Sequence, residues 1–184
     1  MKKSTSALLI ATLFFTACKK DSSTKTSSTF TASVNGQATT FNISQATLIR
    51  STGDNEKRLD IAGTSTDGSK MFIITLGLET AAGNGMQVKS YVLNAFPEDD
   101  PSTPNVDESL TTQGFTTYST KLSGGGWLTD VYNEQGSFNL SSCDSTNHII
   151  SGTFQTTLRD MSTGDISVDV KDGKVSNVKY MVLN

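Results

Sequence analysis

Phe30-Thr31-Ala32-Ser33-Val34-Asn35-Gly36-Gln37-Ala38-Thr39-Thr40-Phe41 is the stretch that decides the fold class. Two short runs rich in Thr, Val and Phe flank an Asn-Gly pair. Both central positions of a type I′ turn need positive φ, which Asn and Gly tolerate best, so the pair predicts a hairpin between strands over 30–34 and 37–41. The same grammar continues outward. A short third strand is expected over 46–50, and 58–63 alternates Leu59, Ile61 and Gly63 on one face. Asp67-Gly68 then turns the chain into 71–78, where Met71-Phe72-Ile73-Ile74 is apolar on both faces and reads as the most buried strand.

Beyond this point 81–85 reads as a glycine-containing loop and 88–93 as a strand. All three prolines, with Glu98, Asp99, Asp100, Asp107 and Glu108, fall within 96–109. Proline cannot donate to a strand ladder, so an exposed loop is expected there. Strands resume over 114–122, 127–132 and 137–143. The segment 149–158 places Ile150, Gly152, Phe154, Thr156 and Leu158 on one face, and 166–170 and 174–183 are expected to form a last hairpin about Asp172-Gly173. Helical periodicity with caps is not sustained anywhere. About ten short strands at close spacing predict an all-β fold, an antiparallel β-sandwich or a barrel-like variant of it.

The chain begins differently. Lys2 and Lys3 precede a mostly apolar stretch over 7–17. A membrane-spanning helix needs about 20 apolar residues, so this stretch is too short to be one and reads as an export signal. Phe15-Thr16-Ala17-Cys18 resembles a lipobox, with Phe where Leu is commonest. A thiol is required there because diacylglycerol is carried as a thioether on sulfur. An ordinary secretory signal would instead show a small-x-small cleavage site with no cysteine at the junction. The expected organisation is a lipoprotein signal peptide over 1–17, lipidated Cys18 with a flexible tether over 18–28, and a single β domain over 29–184. The run Lys19 to Ser28 has no apolar side chain to bury. Ten such residues reach about 17 Å root-mean-square by coil scaling. Lys19-Lys20-Asp21 is similar to the surface-export signal of Bacteroidota lipoproteins, with fewer acidic residues than that signal usually carries.

Hydrophobic residues make up 35% of the chain, a low share that with abundant Thr, Ser and Gly suits an extracytoplasmic β domain. The formal net charge is −3. A net acidic chain without a basic patch or a nucleic-acid motif argues against nucleic acid as a partner. Of two cysteines, Cys18 is expected to carry lipid, which leaves Cys143 without an intramolecular disulfide partner and most simply buried or at a strand end.

Three segments resemble small Bacteroidota lipoproteins of unknown function. The opening Phe30-Thr31-Ala32-Ser33-Val34-Asn35-Gly36-Gln37 is similar to their F-x-A-x-V-N-G start, and Ile150-Ser151-Gly152-Thr153-Phe154 to their I-S-G-T-F strand. Val168-Asp169-Val170-Lys171-Asp172-Gly173-Lys174-Val175 resembles the hairpin that follows, with Val175 where phenylalanine is usual. Where many relatives carry an aromatic residue after the opening, Ala38 and Thr39 stand here. The resemblance implies fold and location and brings no catalytic residues.

A nucleophilic triad would have to use His148, the sole histidine, within Cys143-Asp144-Ser145-Thr146-Asn147-His148. That segment reads better as a turn, in which Asp and Asn bond nearby backbone. Serine-hydrolase elbows, C-x-x-C and paired-histidine spacings are missing from the sequence, so neither a metal nor another cofactor is expected. The acidic cluster of 96–109 lacks the spacing of a calcium loop. Large aromatics are mostly buried, which makes Trp127 first of all a core anchor. Exposed instead, Trp127 with Tyr118 and Tyr132 would offer faces on which sugar rings stack. The expected function is a non-catalytic, membrane-anchored binding module for a glycan or a protein, at the outer membrane and facing the periplasm or the cell surface. The alternatives are an enzyme on envelope or dietary polymers whose carboxylates meet only in the fold, and an envelope scaffold or inhibitor subunit.

Overall fold

The computed structural model describes residues 27–51, 56–80, 83–94, 113–160 and 162–184. Among them are ten strands and no helix: β1 (Thr29–Val34), β2 (Gln37–Arg50), β3 (Glu56–Ser65), β4 (Lys70–Thr80), β5 (Ser90–Asn94), β6 (Gly114–Lys121), β7 (Trp127–Asp144), β8 (Ile149–Asp160), β9 (Ile166–Lys179) and β10 (Met181–Leu183). The pairings β1–β2, β2–β3, β3–β4, β4–β6, β6–β7, β7–β8, β8–β9 and β9–β1 are all antiparallel and return to their starting point. Eight strands therefore close into a barrel, the barrel-like form of the expected all-β class. β5 pairs with β7 beyond the stretch that β6 occupies, and β10 runs parallel to β2 beyond β1.

The strands are longer than their sequence suggests, because β-bulges carry them through polar residues that read as breaks. Register shifts between Ile43 and Gln45 join 37–41 to 46–50 in β2, and shifts within β7 join 127–132 to 137–143. Asp172-Gly173 is likewise a bulge within β9 and not a hairpin. Thr31 faces Lys174 and Ser33 faces Lys171, while on the other side Phe154 faces Gly173 and Thr156 faces Val170. Three steps on β9 oppose two on each neighbour. Asp172 supplies the left-handed backbone at φ 50°. A turn and a bulge ask for the same residue types, so only pairing with both neighbours tells them apart.

The interior is filled by the inward-facing residues of each strand. Ile150, Phe154 and Leu158 of β8 are buried with Leu59 and Ile61 of β3, as their alternation predicts. Phe72 and Ile74 of β4 are fully buried, but Met71 and Ile73 are only half-buried. The expected burial of both faces of this strand fails because a barrel wall has one interior face. The rings of Phe30, Phe41, Phe72, Phe138 and Phe154 form a continuous cluster with centroids 4.9–6.1 Å apart. Glycines make room for it: a Cβ on Gly63 would lie 2.7 Å from Phe30, and one on Gly152 would lie 2.5 Å from Phe138. An eight-stranded barrel has an interior just wide enough for such side chains to fill, which leaves no room for a ligand within it.

Strand direction makes the two ends unlike. The turn at Asn35-Gly36, with φ 50° and 79° as a type I′ hairpin requires, lies at one end with the β3–β4, β6–β7 and β8–β9 connections. The chain enters β1 and leaves β10 at the other end. That end is covered by 83–89, where Met86 is buried and Lys57 Nζ donates to Gly85 O at 3.1 Å.

Candidate functional site

At the hairpin end the inward positions run out of aromatic residues, and the mouth stays open as a cup of about 340 Å³. Val34 of β1, Val131 of β7 and Val168 of β9 form an apolar wall. Tyr118 and Thr120 of β6, Lys70 of β4, Gln37 and Thr39 of β2, Asn35 and Ser167 complete the lining. These residues lie toward the hairpin end of the barrel, from the turn itself at Asn35 to four residues inside β7 at Val131, where the core beneath is already full.

Tyr118 makes the floor. Its ring meets Phe72 edge-on, with centroids 6.0 Å apart, and Lys70 Nζ lies 5.8 Å from its centroid. Lys70 Nζ also donates to Thr120 Oγ1 at 2.9 Å. Partial burial, followed by the charge of Asp67, raises the pKa of the Tyr118 phenol, which stays protonated. Asp67 borders a second recess of about 430 Å³ that shares Gln37, Thr39, Lys70 and Tyr118 with the cup. Its carboxylate accepts the Ser65 hydroxyl at 2.5 Å, the Ser69 amide at 3.0 Å and the Ser69 hydroxyl at 2.8 Å. Those bonds hold its pKa down to about 2.

A larger hollow of about 570 Å³ lies on the outer face, bordered by Val92, Gln135, Ser137, Gln155, Thr157, Asp169 and Lys171. It is a strip of outward amides and hydroxyls in which Lys171 is paired with Asp169 at 2.7 Å. The mouth is the better site, since it combines an apolar wall, an aromatic face and a cation among neutral polar groups, the makeup of a ligand pocket.

The residues expected to carry function are distributed unequally. Cys18 and the acidic cluster of 96–109 lie outside the described residues. Trp127 is not a core anchor: it opens β7 opposite Lys121, at the tip of the β6–β7 hairpin, and is 36% exposed. The hairpin carries it past the last inward layer at Val131, so no core is left there to bury it. Tyr118 is half-buried and pairs with Val131, four residues and about 13 Å from Trp127 along β7. Among the described residues these two rings make no contact with each other. Tyr132 stands in register with Thr117 and Arg159. Tyr118 and Trp127 therefore do not combine into one platform.

Cys143 is half-buried at the far end, its thiol 3.8 Å from the Tyr180 hydroxyl. Burial and that contact raise the Tyr180 pKa. Asp144 accepts the Thr146 and Asn147 amides at 2.9 Å, and His148 takes φ 56°, so 144–148 is the turn its composition predicted. No cluster of three metal-ligating side chains occurs among the described residues.

Lys70, Gln37, Thr39 and Thr120 did not stand out in the sequence, because they come from three strands far apart along the chain. Their common signal was position beside hairpin turns that share one end. No family model, curated protein or solved structure matches the chain.

Proposed function

We propose that this protein is a lipid-anchored extracytoplasmic binding module, held at the outer membrane through Cys18, that takes a saccharide into the open mouth of its barrel. The observation that carries the reading is the Tyr118 floor beneath a rim of hydroxyls and amides, at the end opposite the one where the chain enters the barrel. A pyranose ring has an apolar face of C–H groups and an edge of hydroxyls. Tyr118 and the valine wall match the face, and Asn35, Gln37, Thr39, Thr120 and Ser167 match the edge. With a tether attached at the closed end, the mouth points away from the membrane. The likeness of the opening and closing strands to Bacteroidota lipoproteins supports the same location.

A second reading is favoured by one feature. Leu122, Trp127 and Leu128 are exposed together at the β6–β7 hairpin, which suits a protein partner approaching the same end.

The test has two arms. Cys18→Ser should release the protein from membranes and abolish labelling by a fatty-acid analogue; continued membrane association with label would refute the anchor. On a glycan array, Thr39→Trp should fill the cup and abolish binding without lowering the denaturation midpoint. Unchanged binding by this variant would remove the mouth as the site.

A further inference from the structure

Lys70 is the one charged residue among those that line the cup. Its ammonium has three N–H donors. One goes to Thr120 Oγ1 and the group overlies the Tyr118 ring, but among the described residues Lys70 forms no ion pair. Asp67, whose oxygens are engaged by Ser65 and Ser69, forms no ion pair with it and keeps its charge on the side of the neighbouring recess. A half-buried ammonium without an ion-pair partner, held over an aromatic face and beside neutral hydroxyls, is arranged to receive an anionic oxygen from within the cup.

We infer that the mouth selects acid-bearing saccharides, with the carboxylate or other acid group of one sugar seated in the cup against Lys70 Nζ. This rests on the saccharide-binding reading and gives it a ligand class. The second recess sets the direction of the chain. It lies on the other side of the Lys70–Tyr118 pair and holds the Asp67 carboxylate. An acid group placed there would meet a fixed negative charge, so the acidic sugar belongs in the cup and a neutral neighbour extends across Tyr118 into the recess. The ligand is then at least a disaccharide, bound with its acidic residue toward Val131 and Val168 and its neutral residue toward Ser65 and Ser69.

The experiment is a titration of the full-length protein in detergent on an array holding neutral, uronate-bearing, sialylated and sulfated oligosaccharides. Each uronate is present also as its methyl ester, which keeps the shape and removes the charge. The expected result is binding confined to acid-bearing members. Esterification should weaken it at least tenfold, Lys70→Met should weaken it equally, and Lys70→Arg should recover part of the loss. Lys70→Met should weaken affinity for the acid at least severalfold more than affinity for the methyl ester, a difference that a merely structural lysine would not give. Binding of neutral and esterified sugars as tight as that of the acids would overturn the acid selectivity while keeping the saccharide-binding reading. Binding of no sugar at all would overturn both. Loss of affinity for acid and ester alike in Lys70→Met would assign Lys70 a structural role and overturn the inference.

Discussion

Replacing Gly173 by Ala separates a bulge from a hairpin. Were Asp172-Gly173 a type I′ turn, Gly173 would need positive φ, and any side chain there would be strained whatever surrounds it. In the barrel, positive φ falls on Asp172 alone of the pair, and what forbids a side chain at 173 is the Phe154 ring. A Cβ at 173 would lie 2.6 Å from three carbons of that ring, well inside van der Waals contact. Phe154 cannot easily retreat, since it is stacked on Phe72 at 5.5 Å and on Phe138 at 6.1 Å. Overpacking of this kind costs about 1–3 kcal/mol. For a domain of this size each kilocalorie lowers the midpoint by about 2–4 °C. Phe154→Leu removes the outer ring carbons that Cβ would strike, so Gly173→Ala should cost much less in that background. The coupling between the two changes is expected to exceed about 0.5 kcal/mol in favour of the double variant. Urea denaturation of the domain from Thr29 to Asn184 measures all four corners of the cycle. An equal cost of Gly173→Ala in both backgrounds would refute the ring contact and return strain to the backbone.

Two other outcomes are expected. Trp127→Ala should change stability by less than about 1 kcal/mol, because the side chain is exposed at a hairpin tip; a loss of about 3–5 kcal/mol, the cost of emptying a buried aromatic site, would contradict that placement. Asp67, whose folded pKa is depressed to about 2, stabilises the β3–β4 turn above the ordinary carboxylate pKa and loses that contribution as pH falls from about 4 to about 2. Wild type and Asp67→Asn should therefore converge in midpoint over that window, and a gap that stays constant with pH would show that Asp67 does not act through its charge.

The sequence by itself determined what depends on near neighbours. Asn35-Gly36 specified a hairpin because positive φ is a property of two residues. Ile150, Gly152, Phe154, Thr156 and Leu158 share the inner face because strand geometry alternates every two residues, and Asp144 shaped its turn by bonding amides two and three residues on. Export and lipidation at Cys18 are likewise read from adjacent residues, and they remain proposals for the same local reason. What only the tertiary structure decided depends on partners far along the chain. Whether Asp172-Gly173 turns or bulges was settled by β1 and β8, which pair on either side of it. Trp127 is exposed because its hairpin overshoots the last inward layer, a length set by the register of β6 against β7. The mouth has no contiguous signature at all. Lys70, Thr39, Tyr118 and Val168 lie on four strands, and they meet because the ring closes from β9 through β1 to β2, which brings one end of every hairpin to the same rim.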